Sequence, residues 1–305
     1  MSTKQGEGPA MDRRRFFRYA ATAAGAAVVF PQGANGPAGW APPGHAKETP
    51  SAKPAHKRIP IALQLYSVRD DAAKALPAVL TAVADAGYEG VEFAGYHGHD
   101  AKQLRQMLDD RGLKVAGSHI GLESMLGDQF EPTVEFHQTI GNTHLIVPGL
   151  AAEHTGSKAA WLETAGIFNG IAERLKPLGL RTGYHNHTTE FTPVDGELPW
   201  DILFGNAKPE VVMQVDTGNA LMGGQDPVPL LERYPGRAAT IHIKEFSKTN
   251  PQALIGEGDV RWADVFRLCE TTGKTEWYIV EQESYAFPPL TCAHKCLQNL
   301  RAMGK

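Results

Sequence analysis

The chain has 305 residues, 42% of them hydrophobic, enough to bury a substantial core in one domain or in two small ones. Its 34 acidic residues outnumber its 30 basic ones, and this balance gives no electrostatic footing for nucleic acid or an anionic membrane surface. Cys269, Cys292 and Cys296 form an odd set, the last two four apart on a predicted C-terminal helix, so no disulfide framework is expected.

The first thirty residues read as an address. "DRRRFFRYA" sets Arg13 and Arg14 ahead of Arg15, Phe16, Phe17 and Arg18, and an Ala-rich run without charge follows to Phe30. That is the pattern of a twin-arginine export signal, and it predicts an exported, periplasmic protein. A short basic amphipathic helix is the competing reading, but the uninterrupted apolar run favours the signal. The run is short for a membrane span, so no stable span is expected after processing. Residues 31–58, rich in Pro, Gly, Ala and Lys without apolar period, predict a flexible linker.

From Ile59 onward, short apolar runs alternate with helical patterns. The predicted strands are "IPIALQLYS", "YEGVEFAG", "LKVAGSHIG", "THLIVPGL", "LRTGYHNH", "EVVMQVDTGN", "AATIHIKEF" and "EWYIVEQES". Most are near-continuous in Val, Ile or aromatic residues, as parallel strands buried on both faces require. Helical stretches such as "DAAKALPAVLTAVADAG" and "KAAWLETAGIFNGIAERLKPLG" end in Gly before the next strand, where a left-handed cap is wanted. Eight strand–helix units over residues 59–305 predict an α/β fold, a single-domain (β/α)8 barrel. A doubly wound open sheet is the runner-up, but no strand is followed by a GxGxxG loop.

In such a barrel the chemistry sits where strands end. Those ends carry Gln64 and Tyr66, Glu92, His119, His185 with His187 and Glu190, Asp216 with Asn219, His242 with Lys244, and Glu281 with Glu283. Only "THLIVPGL" contributes little. Charge is costly to bury without a purpose, so this concentration points to a site. Residues two apart on a strand share a face, and one face looks inward, so His185, Asp216, His242 and Glu281 can converge on one divalent ion. Mixed imidazole and carboxylate donors suit Mn, Co, Zn or Fe(II) better than Mg. A single core histidine is usually just hydrogen-bonded to backbone; four donors at equivalent positions reverse those odds. His187 competes with His185, and Glu283 with Glu281.

The ordered motifs "QLYSVRD", "VEFAG", "GSHIG", "YHNHTTEF", "VDTGN", "HIKEF" with "GEGDVRW", and "IVEQE" resemble the xylose-isomerase-like barrels known as sugar phosphate isomerases/epimerases, over residues 59–303. The ketose 3-epimerases and hydroxypyruvate isomerases of that superfamily hold their metal with Glu, Asp, His and Glu. The resemblance carries three of these positions onto Asp216, His242 and Glu281. Where many relatives read Glu-Asn-His after strand five, this chain reads His185-Asn186-His187, so His185 takes the place of a glutamate. In the epimerase scheme that glutamate and the strand-eight glutamate act as an acid/base pair, and an imidazole bound to metal has no lone pair left for a carbon-bound proton.

The resemblance implies a divalent-metal-dependent carbohydrate isomerase or epimerase working through an enediolate on a keto- or hydroxy-sugar. The Glu-to-His departure and the export signal favour a second reading, a lyase or hydratase eliminating from a 3-keto-glycoside or inosose. A third is a non-catalytic sugar-binding barrel, whose affinity would survive metal removal. His119 is the expected non-ligand acid or base, with Glu281, Glu190 and Lys244 as further catalytic groups. Gln64, Tyr66, Glu92, His187 and Glu257, the last in the "GEGDV" stretch read as a substrate-covering loop, are expected to bind substrate. A salt-bridged Lys244–Glu92 pair holding the barrel mouth is the structural alternative. No phosphate-type Arg/Lys cluster stands at the strand ends, so an unphosphorylated small carbohydrate is the expected partner. A homo-oligomer is compatible with the sequence. An endonuclease of the same architecture is opposed by the acidic balance.

Overall fold

Alternation along each strand builds the molecule. In the computed structural model, which describes residues 58–305, the strands are β1 Ile61–Gln64, β2 Gly90–Phe93, β3 Lys114–His119, β4 His144–Val147, β5 Arg181–His185, β6 Val212–Gln214, β7 Thr240–Ile243 and β8 Trp277–Val280. All pair in parallel in the order β6-β5-β4-β3-β2-β1-β8-β7. The β6–β7 seam is joined by the Asp216–His242 bridge and a 2.9 Å bond from the His242 N–H to the Val215 carbonyl, giving a nearly closed barrel. The expected twin-arginine signal and most of the linker lie outside the described residues. Among those residues no helix is long and apolar enough to cross a membrane.

The helices are α1 Arg69–Ala86, α2 Ala101–Asp109, α3 Phe130–Ile140, α4 Ala152–Thr155, α5 Lys158–Leu175, α6 Pro199–Asn206, α7 Thr217–Met222, α8 Pro227–Arg233, α9 Trp262–Thr271 and α10 Pro289–Ala302. The expected glycine stops appear at Gly87 and Gly179, whose φ values of 97° and 72° are costly for any residue with a Cβ. Pro77 lies inside α1, and the break falls just before it at Ala75 (φ −158°), as the crowding of a proline ring on the preceding turn demands.

Strand residues of one parity, such as Leu63, Val91, Tyr184, Met213, Ile241 and Val280, pack outward into the large core shared with the helices. The other parity points into the barrel. Its lower layer is small or apolar, with Ala62, Ala116 and Ile279 in one cluster and Ile146 against Val212 in another. Two residues further along, the same face carries Gln64, His185, Gln214, His242 and Glu281, each buried. The polar set therefore sits on a packed apolar plug at the C-terminal end of the barrel.

Candidate metal centre

Asp216 is fixed by the helix it starts. As N-cap of α7 it accepts the Asn219 N–H at 2.7 Å through Oδ1, and its own N–H donates to Asn186 Oδ1 at 2.9 Å. Its other oxygen, Oδ2, is buried with no hydrogen-bond partner. Around that orphan stand His185 Nε2 at 3.9 Å and His242 Nδ1 at 3.8 Å, and Glu281 Oε2 lies 3.0 Å from His242 Nδ1. One ligand atom from each of these four residues falls within 4.8 Å of all the others. Tetrahedral donors about 2.1 Å from an ion stand roughly 3.4 Å apart. The spacing and the unsatisfied oxygen both fit a divalent ion held by two imidazoles and two carboxylates. His119, His185 and His242 form a second, overlapping triple.

Gln214 sets the tautomers. Its Nε2 donates to Glu92 Oε1 at 2.8 Å and to Thr240 Oγ1 at 2.9 Å, and Glu92 as a carboxylate can only accept. Its Oε1 must therefore accept from both His185 Nδ1 (3.1 Å) and His119 Nε2 (2.8 Å). His185 is left with a lone pair on Nε2, facing the ligand cluster. His119 keeps its lone pair on Nδ1. Glu92 accepts His242 Nε2 at 2.5 Å and Gln64 Nε2 at 2.7 Å, with His119 Nε2 at 3.2 Å. This carboxylate–histidine arrangement turns His242 Nδ1 toward the cluster.

Space for Glu92 is built into the backbone. The β2–β3 register shifts between Val91 and Glu92, and a Cβ on Gly117 would lie 2.5 Å from Glu92 Oε1. Glycine at 117 is what lets the carboxylate lie across β3.

The charges follow from the contacts. Burial opposes ionisation of Glu92, but His119 and His242 outweigh it and hold its pKa below the usual carboxylate range. Burial likewise opposes charge on His242, and Glu92 with Glu281 overcomes it, raising its pKa to about 10. Glu281 is held well below the ordinary value against burial by Lys244 and His242. Burial pushes Asp216 up to about 7, only partly offset by Lys244. Burial lowers His119, and burial reinforced by His242 and His119 lowers His185 further, so both are neutral near pH 7. Lys244 stays an ammonium, since Asp216, Glu281 and Glu283 outweigh the cost of burying it. Its Nζ lies 3.7 Å from Asp216 Oδ2 and 3.6 Å from Glu281 Oε2, donates to Asn219 Oδ1 at 3.1 Å and pairs with Glu283.

Several expected site residues are placed elsewhere. Glu92 and Gln64, expected to bind substrate, are wholly buried beneath the cluster and saturated by its hydrogen bonds. No Lys244–Glu92 pair forms, because each has nearer partners of its own. Glu190, expected as catalytic, is buried in the loop after β5, where it accepts the Tyr184 hydroxyl at 2.7 Å, the Thr189 hydroxyl at 3.1 Å and the His187 N–H at 2.8 Å. It braces that loop.

His187 does not sit beside His185 on the strand; β5 ends at His185, and His187 is an exposed loop residue with its ring edge-on to His185 at 5.1 Å. Glu257 is exposed and accepts the Leu254 N–H of its own loop at 3.0 Å. That loop is pinned by Glu245, which accepts the Gly256 N–H at 2.7 Å and the Trp262 indole N–H at 2.8 Å. Tyr66 stands 42% exposed after β1, with the Arg69 guanidinium 4.5 Å from its ring centre.

Gln214 and Glu245 were not singled out from the sequence. For Gln214 a signal exists: it is the lone polar residue within "VVMQV" and shares a face with Asp216.

Fold and donor set together define a parallel eight-stranded barrel with a buried two-histidine, two-carboxylate centre at the strand C-termini. The chain belongs to the xylose isomerase-like TIM barrel family, whose model matches residues 80–302. An inosose dehydratase of Geobacillus kaustophilus (strain HTA426) is 28% identical over 189 residues, 55% of this chain and 61% of that protein, so the match spans less than two thirds of the relative. The rhizopine catabolism protein MocC of Rhizobium meliloti is 23% identical over 74% of this chain and 80% of its own length. Among solved structures, a sugar phosphate isomerase/epimerase from Parabacteroides distasonis ATCC 8503 superposes with a TM-score of 0.70 at 26% identity, covering 83% of this chain and 97% of that one.

Proposed function

We propose that the protein is a divalent-metal-dependent lyase acting by β-elimination on a keto-sugar or inosose, exported by the route its first thirty residues encode. One observation carries this reading: both nitrogens of His185 are committed, Nδ1–H to Gln214 and Nε2 to the ligand cluster. The residue at the strand-five position is therefore no base, and a symmetrical two-base epimerisation lacks one partner.

A divalent ion in the His185, Asp216, His242 and Glu281 set would polarise a substrate carbonyl and acidify the neighbouring C–H. In this reading His119 takes that proton. Its Nδ1 carries the lone pair, and its side chain at 9% exposure is more open than those of His185 (2%) and His242 (0%). The Lys244 ammonium supplies the opposite function. As the C–H electron pair forms the new C=C bond, the C–O bond at the β-carbon breaks with its pair on oxygen, and Lys244 protonates that oxygen as water or an alcohol. Asn219 and Glu283 hold the ammonium in place. The inosose dehydratase relative supports elimination, and the structural likeness to an isomerase/epimerase supports the alternative of reprotonation on carbon.

Incubation of metal-loaded protein with ketoses, inososes and 3-keto-glycosides in deuterated water separates the two. Loss of water or an alcohol to give an unsaturated product is expected, and it should disappear in His119→Ala and on metal removal. Carbon-bound deuterium in an intact, rearranged sugar would overturn the lyase reading in favour of isomerisation. Sugar affinity indifferent to metal, without turnover, would reduce the protein to a binding barrel.

A further inference from the structure

A cavity of about 460 Å³ opens between the loops after β4 and β5, and nothing in the elimination scheme uses it. It falls within the range of small-molecule pockets, about 300–1,000 Å³, and far exceeds the roughly 30 Å³ of a single water. Leu150, Trp161, Tyr184 and Pro199 give it apolar walls; Glu190 and His187 give it a polar side. We propose that this cavity is a second subsite, holding an aromatic ring carried as a substituent on the sugar bound at the metal centre.

The proposal rests on the metal–sugar reading above, and the geometry links the two places. His187 lines the cavity, and its imidazole packs edge-on to His185 at 5.1 Å. Tyr184, on the outward face of β5, puts the cavity on the helix side of that strand, so a substituent on the sugar reaches it from the barrel mouth by passing the exposed His187 at the strand's end.

The lining selects the chemistry. Apolar side chains make up most of the lining, the partly exposed Leu150 beside the buried Trp161, Tyr184 and Pro199, which favours a ring over a flexible polar chain. One polar feature remains unspent. Glu190 accepts three bonds, from Tyr184, Thr189 and His187, out of about four lone-pair sites on a carboxylate, leaving one for a ring hydroxyl. A phenolic ring answers the apolar walls and the free Glu190 site together.

Gly149 offers a clean probe. It lines the cavity, a Cβ there meets nothing within 4 Å, and its φ is not positive, so Gly149→Phe fills the space without backbone strain. Calorimetric titration of the metal-loaded protein with phenyl and methyl β-D-glucopyranoside reads the subsite. Wild type should bind the phenyl compound at least about tenfold more tightly, the increment expected for burying one aromatic ring. Gly149→Phe should bring the ratio to near one while leaving methyl glucoside affinity in place. Leu150→Ala, which strips an apolar wall, should lower the ratio independently should the first variant fold poorly.

Equal affinities in wild type, a ratio unchanged in both variants, or no phenyl glucoside binding at millimolar concentration would each overturn the subsite. The same titration on metal-stripped protein keeps the two ideas apart. A phenyl preference that persists while methyl glucoside affinity ignores the metal sinks the metal–sugar reading and leaves the subsite standing.

Discussion

Glu92→Gln tests the polar floor of the site most directly. The carboxylate receives His242 Nε2 at 2.5 Å, Gln64 Nε2 at 2.7 Å and Gln214 Nε2 at 2.8 Å, with His119 Nε2 at 3.2 Å, in a spot with no water access. The amide keeps the shape but replaces an acceptor oxygen with an N–H donor, so at least one of these donors must face another donor. Hydrogen bonds to a charged group contribute about 1.5–3 kcal/mol each, and stranding a buried charge costs about 3–5 kcal/mol. His242 can shed its proton and escape part of that cost, so we expect a net loss of about 2–4 kcal/mol. For a domain of this size that is a fall in Tm of roughly 5–15 °C. His242 also loses its orienting partner, which should weaken metal binding about 10–100-fold. Scanning calorimetry in the presence of a chelator reads the first effect, and competitive Co(II) titration followed by visible absorption reads the second. A variant with Co(II) affinity within twofold of wild type and an unchanged Tm would refute the claim that Glu92 organises the centre.

Asp216→Asn should abolish tight metal binding yet stabilise the chelator-treated protein at pH 7.5. Burial holds the native carboxyl at about 7 against an ordinary 3.8, so between those values the folded state binds a proton the unfolded state has lost, and stability falls as pH rises; a Tm lowered by the substitution counts against this. His185→Glu restores a strand-five carboxylate and should retain metal while producing measurable carbon-bound deuterium exchange absent from wild type; exchange at the wild-type level would remove the significance assigned to the histidine. His137, buried on α3 with Nδ1 accepting from Asn142 at 2.9 Å, is lowered by burial to about 4. Below about pH 6.5 the unfolded chain takes up a proton the native ring refuses, so stability should decline by up to about 3 kcal/mol as pH falls from 6.5 to 4. Urea unfolding of His137→Gln should show a shallower pH slope, and a slope equal to wild type would refute the assignment.

The barrel is legible in the sequence because each parallel strand is a short apolar run bounded by turn residues, and the glycine stops at Gly87 and Gly179 fall where helices end. The strands are shorter than their apolar runs suggest. "IPIALQLYS" gives strand only over Ile61–Gln64, because the Gln64 side chain accepts the Tyr66 N–H and starts a tight 3-10 turn. β6 likewise ends early, at Gln214, because, two residues on, the Asp216 side chain accepts the Asn219 N–H and starts α7. The alternation that brings His185, Asp216, His242 and Glu281 together is also readable, since the inward parity is set by the strands themselves. What one strand cannot reveal is depth. Glu92 reads like a substrate group at a strand end, but the register shift at Val91/Glu92 and the gap at Gly117 draw it below the ligand layer. Glu190 is lost to the same blindness: its partners Tyr184 and the His187 N–H are local, but a strand pattern does not show which way a loop carboxylate turns.

These depths explain how one barrel can hold so much unlike charge in so little space. The upper layer sets Asp216 and Glu281 against the cations His242 and Lys244. A divalent ion held by that layer would compete with the His242 Nδ1 proton and with the Lys244 ammonium for the same two oxygens, so its binding would release a proton and loosen Lys244. The layer below does not change: Glu92 and Gln214 keep every tautomer fixed whichever cation is present. The imidazoles would therefore hold still while the upper layer exchanged one cation for another. A carboxylate at position 185 would add a third negative group to the upper layer beside the Lys244 ammonium, whereas the neutral His185 adds none.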